Sequence, residues 1–103
     1  MATRLETLEQ MVEANPTDAF ARYGLAQEYA NRGEVERAVV EFRKLLESHP
    51  NYAAGYYHGG RSLERLGRLD EARAMYRKGL EMTGSIGDNH THSELQVALD
   101  LLG

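Results

Sequence analysis

The sequence predicts an all-α fold, a right-handed αα-superhelix built as a stack of about six antiparallel helices. The first observation behind this is self-similarity. Displaced by 34 residues, Pro16 falls on Pro50, Ala19 on Ala53, Tyr23 on Tyr57, Gly33 on Gly67 and Ala38 on Ala72. Arg43-Lys44 falls on Arg77-Lys78 and Leu46-Glu47 on Leu80-Glu81, so nine positions agree where composition alone gives roughly two. Val35 with Leu69, Glu36 with Asp70 and Phe42 with Tyr76 are near matches. The second observation is apolar residues recurring at helical spacing, and the third is glycine or proline between those runs. A fixed period of this length marks stacked helical repeats.

The composition bounds the class. A chain of 103 residues, 42% hydrophobic and 27% charged, is one domain with enough apolar side chains to bury a core. No apolar run is long enough to cross a bilayer, and Met1-Ala2-Thr3-Arg4 does not open a secretory signal. There is no cysteine, which excludes disulfides, thiolate metal sites and cysteine nucleophiles and fits a reducing compartment. A cytoplasmic location is therefore expected. A net charge of −4 argues against non-specific nucleic-acid binding, which needs a basic excess.

The elements follow in order. Helix one is expected over Thr3 to Ala14, with Leu5, Leu8, Met11 and Val12 as its apolar stripe and Thr3 with Glu6 as a capping box. Asn15-Pro16 stops it, because the residue before proline avoids the α region. Helix two is expected over Asp18 to Arg32, capped by Thr17 or Asp18, with Leu25, Ala26 and Tyr29 inward and Gly33 ending it. Helix three, Val35 to Ser48, turns Ala38, Phe42, Leu45 and Leu46 inward before Pro50. Helices four (Tyr52 to Leu66) and five (Leu69 to Met82) repeat this plan around Gly67. Thr83 to Asp88 reads as a loop on its glycines, with Gly84 standing where Pro50 stood. Helix six is expected over Asn89 to Leu102, its stripe being Leu95, Ala98, Leu99 and Leu102. A displacement of 35 lays Leu95 over Gly60, which implies one extra residue in the loop before it. The domain divides into a flanking helix (1–15), two repeats (16–49 and 50–83) and a loop with a capping helix (84–103).

Gly33, Ala38, Phe42 and Pro50, followed by Gly67, Ala72 and Tyr76, resemble the tetratricopeptide repeat in their order of turn glycine, alanine, aromatic and proline. Leu25-Ala26 and Tyr29, then Tyr56 and Gly60, match its first-helix positions. The likeness covers about residues 16 to 84. Arg22 departs from it, standing where the family prefers a bulky aromatic, and Gly59 stands where leucine is usual. Interior glycines cost about 1 kcal/mol each against alanine, so helix four should be the weakest. Gly55, Gly59 and Gly60 either reflect drift or leave a hollow for a partner or another subunit.

The resemblance implies a protein-binding module with the first helix of each repeat on a concave face. That face would carry Phe20, Tyr23, Gln27 and Asn31, then Ala54, Tyr57, Arg61 and Arg65, one line along each helix. Aromatic and arginine side chains suit recognition, although Phe20, Tyr23 and Tyr57 are equally suited to packing between helices. One subfamily grips a peptide carboxylate with lysine, asparagine and arginine. Tyr23, Gln27 and His58 stand at the matching positions here, so that clamp is not expected. Val97 and Leu101 lie on the far side of helix six from Leu95 and Leu99 and are candidates for self-association.

Little else carries chemistry. His90 and His92 are two apart, which on a helix points them different ways, so no metal site is expected. Glu34, Glu36, Asp70 and Glu71 sit in first turns, where they complement the helix dipole. The glycines follow no phosphate-loop pattern. The expected activity is an adaptor that binds a protein or peptide segment in the groove. The alternative is a scaffold that acts through a homodimer. No enzyme activity, cofactor, nucleic-acid or membrane partner is expected.

Overall fold

The structure, a computed structural model, describes residues 1–103 and consists of six α-helices with no strand. They are α1 (Arg4–Ala14), α2 (Ala19–Asn31), α3 (Val35–Ser48), α4 (Ala53–Arg65), α5 (Leu69–Ile86) and α6 (Asn89–Leu102). Local chemistry sets most of the ends. The Glu6 amide donates to Thr3 Oγ1 at 3.1 Å and the Thr3 amide to Glu6 Oε1 at 3.4 Å, closing the expected capping box. Asp18 accepts from the Ala21 amide and Asp88 from the Thr91 amide, each at 3.1 Å. Hydrogen bonding from Thr91 favours the ionised Asp88 carboxyl and holds it below its usual range. Gly33, Gly67 and Gly87 take φ of 79°, 74° and 75°, the left-handed conformation that only glycine adopts cheaply, and end α2, α4 and α5.

One expected boundary is wrong. α5 does not stop at Met82 but runs to Ile86, 18 residues against the 14 of α3. Thr83 is fully buried and its hydroxyl donates back to the Gly79 carbonyl at 2.9 Å, so it continues the helix. Gly84 has no positive φ and lies inside α5; the expected loop shrinks to Gly87 and Asp88. The first residues of the inner helices then fix the register. N-caps Asp18 and Tyr52 are one 34-residue period apart, and Asp88 lies two residues beyond the next period, not one.

Consecutive helices pack side by side. Beyond these neighbours, the α2 backbone comes close to that of α4 and the α4 backbone to that of α6, whereas the backbones of α1, α3 and α5 stay farther apart and α3 reaches α5 through side chains such as Arg43 and Glu71. The stack is therefore curved, with α2, α4 and α6 on its concave side. Two clusters fill it. Leu8, Leu25, Tyr29, Phe42 and Leu45 form one, and Tyr56, Leu63, Tyr76, Met75 and Leu95 the other. At roughly 25 cal/mol per Å² of apolar surface, such buried side chains are the main source of stability.

The glycines of α4 leave no hollow. A Cβ on Gly60 would overlap the Tyr76 ring, one on Gly55 would lie 2.9 Å from Leu46 Cδ2, and one on Gly59 3.3 Å from Met75 Cε. Side chains of α3 and α5 already occupy that space. Arg22 keeps the volume of the expected aromatic by another route: Nη1 lies 2.5 Å from Glu41 and Nη2 donates to the Pro16 carbonyl at 3.1 Å.

Candidate interaction surface

The concave face is built from three parallel lines on α2, α4 and α6. Counted from the N-caps, Val97 stands level with Gln27 and Arg61, and Leu101 with Asn31 and Arg65. Two sets of residues that look separate in sequence thus fall on one face. The sequence signal was Asp88, a capping residue like Asp18, whose position gives the register directly.

The middle of the face is aromatic. The Tyr23 ring lies 5.1 Å from Tyr52 and 5.9 Å from His58, and Tyr57 meets His58 edge-on at 5.2 Å. Tyr23 and Tyr57 are half-buried, so each combines packing with an accessible edge. Polar side chains on this face hold one another. Gln27 Nε2 donates to the Tyr23 hydroxyl at 3.2 Å, and Arg61 Nη1 donates to the Tyr57 hydroxyl at 3.2 Å. Arg61 also approaches Glu64 at 3.9 Å, and Glu64 accepts from the buried Tyr76 hydroxyl. Arg65 Nη1 donates to the Ala30 carbonyl at 3.1 Å, tying α4 to the end of α2. Burial lowers the pKa of His58; Glu94 opposes this and Arg61 adds to it. Burial likewise raises the Tyr23 hydroxyl, reinforced by Tyr52 and opposed by Gln27.

Phe20 does not pack between helices: it is 76% exposed. With Tyr23 and Gln27 it borders a depression of about 690 Å³ between α1 and α2, whose other side includes Leu8 and Met11. Met11, expected on the inner stripe of α1, is 41% exposed there. Asn31, Arg61 and Arg65 are exposed, Ala54 is half-buried, and Val97 and Leu101 are 57% and 83% exposed. A second depression of about 550 Å³ lies on the outer side between α3 and α5, floored by Leu46, Pro50 and Met75 under the Arg43–Glu71 ion pair.

The histidines have partners that spacing did not reveal. His49 Nε2 lies 2.8 Å from the Thr17 carbonyl, and His90 Nε2 lies 3.5 Å from Glu94. His92 Nδ1 lies 3.0 Å from Thr83 Oγ1.

A curved stack of helix pairs with a turn glycine in each pair, and an aromatic and basic inner face, defines a helical-repeat protein. The tetratricopeptide repeat family model matches residues 1–83, which include α1, and the chain belongs to that family. It is 32% identical over 95 residues to a TPR repeat-containing protein of Pseudomonas aeruginosa, covering 92% of this chain and 90% of that one. A tetratricopeptide repeat domain protein of Salinibacter ruber is 40% identical, with a TM-score of 0.77 over 82% of this chain and 94% of its own. A Bordetella parapertussis protein is 29% identical and superposes with a TM-score of 0.84 over 99% of this chain and 89% of its own. The tetratricopeptide repeat fold is generally a protein–protein interaction module and typically a non-catalytic scaffold.

Proposed function

We propose that this chain is an adaptor that binds a protein or peptide segment across the concave face of α2, α4 and α6, in a cytoplasmic setting. The observation that carries this is the shared face of Tyr23, Gln27, Tyr57, Arg61 and Arg65, whose polar groups are held by the Gln27–Tyr23 and Arg61–Tyr57 bonds and, for Arg65, by the Ala30 carbonyl. Side chains held in place lose little further freedom on binding, and tyrosine and arginine are among the residues that most often dominate such contacts. Val97 and Leu101 give the face an apolar end. The partner segment that suits it carries acidic or carbonyl acceptors for the arginines and an apolar residue for α6.

The test is selection of binders from a random peptide library displayed on phage, followed by affinity measurement against variants. Selected peptides should lose about tenfold or more in affinity for the double variant Arg61→Ala/Arg65→Ala, with its melting temperature close to wild type. Tyr57 is half-buried, so Tyr57→Ala needs its melt recorded beside its affinity. Peptides that bind the double variant and the wild-type chain equally would show that the groove is assigned to the wrong face.

A further inference from the structure

The depression between α1 and α2 is, one period earlier, a surface that the fold covers elsewhere. Displacement by 34 residues carries Leu8, Met11 and Gly24 onto Phe42, Leu45 and His58. On that second surface lies α2. Its Tyr23 ring is 6.3 Å from Phe42 and 5.9 Å from His58, and both Phe42 and Leu45 are 0% exposed. On the first surface no helix of the chain lies, and Met11 and Phe20 stand exposed beside it. What suits the depression is therefore another helix of the α2 and α4 type.

The charge at its rim agrees. In each hairpin the inner helix ends where the outer helix begins, so a helix laid along α1 would end beside Arg4. Arginines already cap the ends of two inner helices. Arg65 donates to Ala30 at the end of α2, and Arg73 donates to the Leu102 and Gly103 carbonyls, at 3.3 and 3.2 Å, at the end of α6. Arg4 is 69% exposed and is engaged by Glu28 at 3.3 Å, which leaves most of its guanidinium open to such carbonyls or to an acid near them.

We propose that the α1–α2 depression receives one amphipathic α-helix from a partner protein, antiparallel to α1. Its apolar stripe meets Leu8, Met11 and Phe20, and its C-terminal end faces Arg4. A second copy of this chain is a poor source of that helix. Its exposed inner helix, α6, has Gln96, bonded to Asp100 at 2.9 Å, at the position where Ala26 and Gly60 let the outer helix come close. Arg4 in turn stands in the place of Ala38 and Ala72. Two long polar side chains would meet where the internal pairs have small ones, and this blocks end-to-end growth of the stack.

The test uses the full chain, isotopically labelled, and a stapled peptide of residues 17–33 carrying R22Y. The tyrosine copies Tyr56, because Thr7 stands where Glu41 pairs with Arg22. Saturable binding is expected, with amide shifts concentrated at Leu8, Met11 and Gly24. Met11→Glu should weaken it about tenfold or more, and Arg4→Glu about threefold, both at unchanged melting temperature. Arg61→Ala/Arg65→Ala should bind the peptide normally, which separates this site from the groove. The proposal fails if binding is not saturable, if it survives Met11→Glu, or if the shifts move to Tyr57 and Arg61. It also fails if light scattering shows the free chain dimeric and Met11→Glu monomeric, since a second copy would then hold the surface.

Discussion

Gly60 of α4 lies against Tyr76 of α5, with the ring standing where a Cβ on Gly60 would be. Tyr76 is fully buried and its hydroxyl is held by Glu64, which pushes its pKa far up together with the larger effect of burial. The ring cannot swing aside. Alanine at a helix-interior glycine normally adds about 1 kcal/mol, whereas overpacking a filled site costs about 1–3 kcal/mol. Gly60→Ala should therefore lose up to about 2 kcal/mol. At Gly59 the nearest atom is the flexible Met75 Cε, so Gly59→Ala should be neutral or gain up to about 0.5 kcal/mol. Urea midpoints of the two variants decide this, and shifts of the same sign and size would contradict the packing described.

The end of α5 gives opposite signs at two glycines three residues apart. Gly84 is helical, and a Cβ there would come no closer than 3.8 Å to His92. Gly87 has φ of 75°. Gly84→Ala should stabilise by about 0.5–1 kcal/mol through helix propensity. Gly87→Ala should destabilise by about 1 kcal/mol, because the left-handed conformation strains a side chain. Thermal unfolding followed by circular dichroism measures both. If Gly84→Ala lowers the midpoint, the stretch is a loop after all.

What was legible in the sequence was local. Thr3 with Glu6, the turn glycines Gly33 and Gly67 and the prolines at 16 and 50 act on their own neighbourhoods, and the helices form where these residues put them. The 34-residue period brought Tyr23, Tyr57, Arg61 and Arg65 to one face because it counts helical turns within identical units. It failed at Val97 and Leu101, since their place depends on how far α5 runs, and Gly84 and Gly87 are both glycines in one short stretch. The α4 glycines left drift and a hollow both open in the sequence, because the side chains that fill the space come from α3 and α5, away from α4 along the chain. Phe20 is a similar case: no local rule says that α1 leaves it uncovered.

Arg22 and Glu41 form an ion pair whose side chains are only 12% and 13% exposed. Lys44 reaches Glu41 too, but at 4.0 Å and from the surface. Removing one partner of a buried pair strands the other, at up to about 3–5 kcal/mol. Some exposure and Lys44 soften this, so Arg22→Met should cost about 2 kcal/mol. Arg22→Met with Glu41→Leu removes both charges and keeps the volume, and should recover to within about 1 kcal/mol of wild type. A double-mutant cycle by urea unfolding tests the pair; additive losses would mean that the two side chains do not stabilise one another.

His58 sets a pH dependence whose sign follows from its surroundings. It lies against Tyr23, Phe42 and Tyr57, and burial lowers its pKa from 6.5, with Glu94 opposing and Arg61 assisting. The unfolded chain then binds a proton on His58 more readily than the folded chain does. Its contribution is fully present above pH 6.5 and is lost as pH falls below that value towards the folded pKa. The wild type should thus lose more stability between neutral pH and about pH 5 than His58→Gln, which cannot titrate there. Comparing the two chains subtracts the carboxylates and the other histidines common to both. Urea midpoints at the two pH values provide the measurement, backed by the His58 ring resonance, which should titrate below 6.5. Equal losses in the two chains would show that His58 is protonated as easily in the fold as outside it.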